Sequence, residues 1–123
     1  MIKVTEFNPI GSDERGETKS FSIKDYGEFV YITRKQGTLS GNSYHEGKNK
    51  GTNLKTFVLL QGEALIKYRH VESDEVKELI VPPQSVVEIS PYVVHNMFAN
   101  SDILVLENNS IADIKADVIR EQV

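Results

Sequence analysis

The side chains that could do chemistry are few. Three histidines stand at positions 45, 70 and 95, among five tyrosines and scattered carboxylates and cations. An imidazole titrates near neutrality, so it can take up or release a proton where few other side chains can. His45 and His95 lie fifty positions apart, in the stretches Gly41-Asn42-Ser43-Tyr44-His45-Glu46-Gly47 and Pro91-Tyr92-Val93-Val94-His95-Asn96. One could serve as a general base and the other orient a substrate, or both could be hydrogen-bonded structural residues. Tyr44, Tyr68 and Tyr92 could donate phenolic protons or stack on a base, or sit half-buried on strands as Tyr prefers. Tyr44 lies between Ser43 and His45, so on a strand it faces the other way. Arg15, Arg34 and Arg69 carry guanidinium forks that match phosphate oxygens. For Arg69 a solvated strand face is the alternative, and for His70 a structural or exposed one. Lys48, Lys50 and Lys55 form a modest basic group able to attract an anion, with a mobile, solvated loop as the alternative for Lys48 and Lys50. The Ser43 hydroxyl is a poor base without an activating partner.

These groups have to be positioned by strands. Short β-rich or alternating runs cover residues 2–7, 21–23, 29–33, 57–60, 64–71, 76–81, 85–89, 92–98 and 103–106. Turn signals separate them at Asn8-Pro9-Ile10-Gly11, Asp13-Glu14-Arg15-Gly16, Gln61-Gly62 and Glu72-Ser73-Asp74, and a long turn-rich stretch runs over 37–53. Many short strands at regular spacing predict an all-β sandwich or barrel. The tail differs: Ile111, Ile114 and Val118 recur at helical spacing behind Asn109 or Ser110 as N-cap. A short C-terminal helix over about 110–121 is expected, covering an open edge or end of the sheets.

Composition narrows the function classes. The 123 residues suit one domain, spanning 1–123 with its core over about 13–108. The chain has no cysteine, which removes disulfides, thiolate zinc sites and a cysteine nucleophile. That fits a reducing, cytoplasmic compartment. Fourteen Lys and Arg against eighteen Asp and Glu give a net charge of −4 without a basic tract, a poor match to a nucleic-acid backbone. The polar alternation predicts no membrane span, and the first residues do not read as a signal peptide.

The two histidine stretches and the segment between them resemble the cupins, small β-barrels of jelly-roll type. The first cupin motif runs Gly, five residues, His-x-His, a short gap, Glu, six residues, Gly; the second runs Pro, a few residues, His, then Asn. More narrowly, Gly41-Asn42-Ser43-Tyr44-His45, Lys48-Asn49, Phe57-Val58-Leu59, Gly62-Glu63-Ala64-Leu65-Ile66 and Tyr68-Arg69-His70-Val71 resemble the C-terminal cupin domain of the bifunctional epimerase-reductases of the UDP-N-acetyl-fucosamine pathway, used in capsule and O-antigen synthesis. The resemblance runs from about 13 to 108. The turn Asp13-Glu14-Arg15-Gly16 is similar to that of dTDP-4-keto-6-deoxysugar 3,5-epimerases and 3,4-ketoisomerases, whose arginine helps hold the nucleotide phosphates. Pro91 ahead of His95, and Asp102-Ile103-Leu104-Val105-Leu106, lean toward the ketoisomerases.

The resemblance implies proton transfer beside the ketone of a nucleotide-linked 4-keto-6-deoxy sugar. It assigns His45 or His95 as base, Tyr68, Tyr92, Lys55 or a histidine as donor, Arg15 as phosphate clamp, and Ser43, Lys55 and Asn96 as substrate contacts. It also implies a homodimer, and 123 residues are expected to leave no room for the dinucleotide-binding domain of the reductase half. Two departures stand out. Ser43 occupies the position of the first motif histidine, and Lys55 that of the metal-binding Glu, nine residues after His45. Two of the four ligand positions survive, His45 and His95. An ammonium repels a cation, so no metal cofactor is expected unless Glu46 or Glu88 substitutes. The alternative function is a barrel that binds a sugar or nucleotide sugar without turning it over.

Overall fold

Alternation along residues 64–70 puts Ala64 and Ile66 on one face, and both are almost wholly buried. The same two-residue period builds the rest of the computed structural model, which describes residues 1–24 and 27–123. The strands are β1 (Ile2–Glu6), β2 (Asn8–Asp13), β3 (Gly16–Ser20), β4 (Val30–Arg34), β5 (Leu39–Tyr44), β6 (Lys55–Gln61), β7 (Ala64–His70), β8 (Lys77–Val81), β9 (Ser85–Ile89), β10 (Val93–Ala99) and β11 (Ile103–Glu107). They are followed by a helix α1 (Ile111–Ala116) and a last short strand β12 (Ile119–Arg120).

Two five-stranded antiparallel sheets form, in the orders β1-β9-β6-β11-β4 and β12-β5-β10-β7-β8, and β2 and β3 pair as a separate hairpin. Their inner faces meet in a core that includes Phe57, Leu59, Ile66, Val87, Ile89, Val93, Ile103 and Val105. The all-β class with a short C-terminal helix is as expected. Register then decides which polar residues face inward, because residues directly opposite each other share a face. Ser43, His95 and Tyr68 form one such row across β5, β10 and β7. Glu107, Phe57 and Val87 form another across β11, β6 and β9.

The structure departs from the sequence reading at both ends. Asn8-Pro9-Ile10-Gly11 is no turn but the start of β2, whose residues are all exposed. Proline is tolerated there because the hairpin has only two strands, and the register slips between Pro9 and Gly11. Residues 21–23 are not a strand; Phe21 stacks on Phe7 with ring centroids 4.2 Å apart. The 37–53 stretch contains a full strand, β5. The helix begins where expected, with the Ser110 hydroxyl accepting from the Asp113 amide at 3.1 Å. It stops at Ala116 rather than near 121. The edge of the second sheet is instead covered by β12, which pairs Ile119 with Tyr44 and Arg120 with Ser43.

Candidate functional site

A cavity of about 440 Å³ opens between the two sheets, along their β4 and β12 edges. Apolar residues such as Phe57, Ile66, Met97 and Val105 make its walls. Ser43, His45, Lys55, His95 and Glu107 supply its polar groups, and α1 and the residues after it close one side.

His95 lies in the middle of β10, and its Nδ1 donates to the Val93 carbonyl at 3.0 Å. His45 follows β5 directly. Its backbone carbonyl accepts from the Tyr92 amide at 2.8 Å, and its Nδ1 donates to the Asp117 carbonyl. A carbonyl can only accept, so each Nδ1 carries the hydrogen and each neutral ring has a bare lone pair on Nε2. Both Nε2 atoms are buried without a hydrogen-bond partner. The ring centroids are 6.1 Å apart.

The electrostatics keep both rings neutral. Burial, and then the nearby Lys55 charge, push His95 down to about 3. Burial and Lys55 also lower His45, against the opposing pull of its bond to Asp117 and the charges of Glu107 and Asp117. The Lys55 ammonium lies 3.7 Å from Glu107 Oε1, with both side chains largely buried. The second oxygen, Glu107 Oε2, has no partner.

Asp117 holds this arrangement from the tail. Its carboxylate accepts from the backbone amides of Glu46, Gly47 and Lys48 at 2.8–2.9 Å and from the Thr52 hydroxyl at 2.6 Å. Burial opposes that charge, but the Thr52 hydroxyl and the three amides outweigh it and hold the carboxyl at about 2. Those same bonds draw residue 117 out of helical geometry and end α1.

The residues do not suit the divalent ion that the cupin resemblance brings to mind. Ser43 offers only a hydroxyl, and Lys55 brings a positive charge to the place of a carboxylate. Among the described residues, no group of three or more His, Asp or Glu side chains is gathered so as to hold an ion. Neither suggested substitute lines the cavity. Glu46 pairs with Lys48 at 3.0 Å, and Glu88 lies between the buried Val87 and Ile89, so it faces the other way.

Four predicted site residues come together: Ser43, His45, Lys55 and His95. Four do not. Tyr68 shares the His95 row but packs against the core and does not line the cavity. Tyr92 sits in a left-handed turn (φ 64°), exposed beside Tyr44 with ring centroids 6.1 Å apart. Asn96 faces away from the cavity, and its amide donates to Asn42 Oδ1 at 3.1 Å. Arg15 is at the tip of the β2–β3 hairpin, its side chain 84% exposed and paired with Asp13 at 2.7 Å. Arg69 is not on a solvated face: its guanidinium pairs with Glu121 at 2.7 Å and ties down the tail. His70 is structural, its Nδ1 accepting from the Glu72 amide at 3.1 Å.

Sequence reasoning missed Glu107, Lys115, Asp117 and Arg120. The signal for Glu107 was present, since it shares strand parity with Ile103 and Val105. The other three depend on where the helix ends.

Two facing antiparallel sheets around a cavity with apolar walls and a few inward polar groups define a cupin jelly roll. The sequence pattern of the polysaccharide biosynthesis C-terminal domain matches residues 11–113, and the chain belongs to that family. No curated protein matches the sequence. Among solved structures, a variant of the 3,4-ketoisomerase QdtA from Thermoanaerobacterium thermosaccharolyticum, in complex with TDP-4-keto-6-deoxyglucose, is similar at 21% identity and a TM-score of 0.72, over 98% of this chain and 87% of that one. The capsular polysaccharide assembling protein CapF from Staphylococcus aureus is similar at 25% identity and a TM-score of 0.65, over 95% of this chain but only 34% of CapF. The 3,5-epimerase RmlC from Legionella pneumophila Philadelphia 1, in complex with dTDP-4-keto-L-rhamnose, is similar at 18% identity and a TM-score of 0.68, over 97% of this chain and 71% of that one. The cupin expectation holds, and QdtA and RmlC are seen with nucleotide-linked keto sugars bound. Among the described residues, no helix is long and apolar enough to cross a membrane.

Proposed function

We propose that this protein is an epimerase or isomerase of a nucleotide-linked 4-keto-6-deoxy sugar, working without a metal in the synthesis of a surface polysaccharide such as capsule or O-antigen. The observation that carries the reading is the pair of bare, buried Nε2 atoms on His45 and His95, facing one cavity that also holds the Lys55 ammonium. His45 is the better base. An imidazole held at about 3, as His95 is, has little affinity for a proton, whereas His45 gains some from Asp117 and Glu107. His45 Nε2 takes the proton from the carbon next to the C4 ketone. The C–H electron pair becomes the enolate, and its negative oxygen is stabilised by the Lys55 ammonium, with Glu107 holding that cation in place. His95 Nε2 accepts from a sugar hydroxyl and fixes the ring. For epimerisation a proton from solvent then adds to the opposite face of the same carbon while His45 releases the one it took; for ketoisomerisation a proton passes between the two enediol oxygens and His45 returns its own to the neighbouring carbon.

The protein works in the cytoplasm, as a homodimer. The projecting β2–β3 hairpin, with Ile10 65% exposed, supports pairing between copies. Incubated in heavy water with UDP- or dTDP-4-keto-6-deoxy sugars, the protein should wash deuterium into the position beside the ketone. His45→Gln should slow that exchange at least about 100-fold while still binding the sugar nucleotide. No incorporation from any of these substrates overturns the enzymatic reading. Binding that persists without exchange would favour the sugar-binding module instead.

A further inference from the structure

The mouth of the cavity carries cations that the proton transfer does not use. It opens between the outermost strands of the two sheets, β4 on one side and β12 on the other. Arg34 ends β4 opposite Ile103, whose side chain belongs to the core, so Arg34 shares the inward face. Arg120 ends β12 opposite Ser43, which lines the cavity, so it too turns inward. Lys115, on the last turn of α1, lines the same opening.

Arg15, Lys19, Lys48, Lys55 and Arg69 each pair with a carboxylate, and among the described residues these three do not. Among the described residues, Arg34 donates only to the Thr33 carbonyl, at 2.8 Å, and Arg120 only to the Gly41 carbonyl, at 3.3 Å. Lys115 has no hydrogen bond or ion pair among the described residues, and all three are exposed. Among the described residues, the one carboxylate that lines the cavity, Glu107, is engaged by Lys55. A chain of net charge −4 therefore holds three uncompensated positive charges around one opening. The apolar side chains of Ile111, Ile114 and Val118 lie among them, and low-dielectric walls strengthen such a field.

We propose that Arg34, Lys115 and Arg120 form a diphosphate clamp at the cavity mouth. The two guanidinium forks reach in from opposite sheet edges, and the lysine adds a point charge from the helix. A nucleoside diphosphate held there directs its sugar inward toward His45 and His95. The clamp thus takes the role that the sequence suggested for Arg15. It deepens the reading of the same site and rests on it only for the sugar, not for the diphosphate.

Titration calorimetry of the whole chain with dTDP, UDP and inorganic pyrophosphate tests the clamp without any keto sugar. All three probes should bind, more weakly as salt rises. Arg34→Ala and Arg120→Ala should each weaken dTDP binding about tenfold or more, and Lys115→Ala about threefold. Arg34→Lys keeps the charge but loses the fork, so it should recover part of the affinity. Lys67→Ala removes an exposed charge from the other face of β7 and should leave affinity unchanged, with melting curves confirming that every variant is folded. The proposal is overturned if the wild-type protein binds none of the probes. It is equally overturned if the two arginine variants bind like wild type, or if Arg15→Ala is the variant that loses binding. Any of these outcomes leaves the heavy-water exchange to decide the chemistry separately.

Discussion

The two ends of the barrel interior are built from the same strands and differ in what those strands point inward. Along β6 the inward positions run Leu59, Phe57, Lys55, and along β11 they run Ile103, Val105, Glu107. Along β10 they run Ala99, Met97, His95 before Val93 returns to the core. At one end these positions interdigitate and exclude water. At the other they leave a cavity with two bare imidazole nitrogens and an ion pair. The architecture is indifferent to which end carries chemistry. Replacing apolar residues at the last inward positions of a few strands turns a packed layer into a site, at a cost in desolvated charge that the packed end must cover.

Opposite substitutions at the two ends sharpen that contrast. Leu59 is wholly buried, and Leu59→Ala should cost about 3 kcal/mol of stability with little change in exchange rate once the protein is folded. Lys55→Ala should cost a similar amount, about 3 kcal/mol, because it leaves the Glu107 charge buried and unpaired. It should also abolish deuterium exchange. The double variant Lys55→Met with Glu107→Leu should return to wild-type stability or exceed it by about 1 kcal/mol, yet stay inactive. Urea midpoints alongside exchange rates check all three. A double variant as unstable as the single one would mean that the ion pair holds the fold together rather than serving the site.

Much of this contrast was legible in the sequence. The motif spacing marked His45, His95, Ser43 and Lys55, and strand parity, which is local, carried their inward direction. Glu107 was equally legible by parity, but the strand expected over 103–106 stopped one residue short of it. The tail was not legible. Its helical spacing at Ile111, Ile114 and Val118 continues past the point where the helix stops, because the stop is caused by amides at 46–48, about seventy residues away. With the helix overextended, neither Arg120 nor the Asp117 carbonyl could be placed. Tyr92 was misplaced because the left-handed turn there resets the alternation before β10 begins.

Acid should separate the site from the core. His95 is held at about 3, far below the ordinary imidazole value of 6.5. Between those values the unfolded chain binds a proton that the folded chain refuses, so stability is full above pH 6.5 and falls below it. The slope for one such histidine approaches about 1.4 kcal/mol per pH unit. His45, also lowered, adds to the fall in the upper part of that window. Asp117 acts lower down: its carboxyl is held at about 2 against an ordinary 3.8, so its contribution is present above pH 3.8 and lost as pH falls through 2. The loss amounts to about 2 kcal/mol. His95→Gln should flatten the urea midpoint between pH 6.5 and 3, and Asp117→Asn should flatten it only below pH 4. Stability that does not change between pH 7 and 5 would contradict the account of both histidines.

The smallest effect should come from the backbone that supports the site. Gly41 lies in β5 at a left-handed φ of 97°, next to the register shift between His95 and Asn96. A Cβ there would stand 3.0 Å from the His95 carbonyl oxygen and 3.1 Å from the Asn96 Cα, tighter than ordinary contact. Gly41→Ala therefore strains a φ that favours glycine and pushes β10 away by a few tenths of an ångström, carrying the His95 ring with it. The stability cost should be modest, about 1 kcal/mol. Because the shift falls on the residue that orients the sugar, exchange should slow about threefold through a poorer fit rather than a changed base. The pH dependence of the remaining rate should then match wild type. A shifted pH profile would mean that the bulge tunes the imidazoles themselves, and the two ends of the barrel would be less independent than their packing suggests.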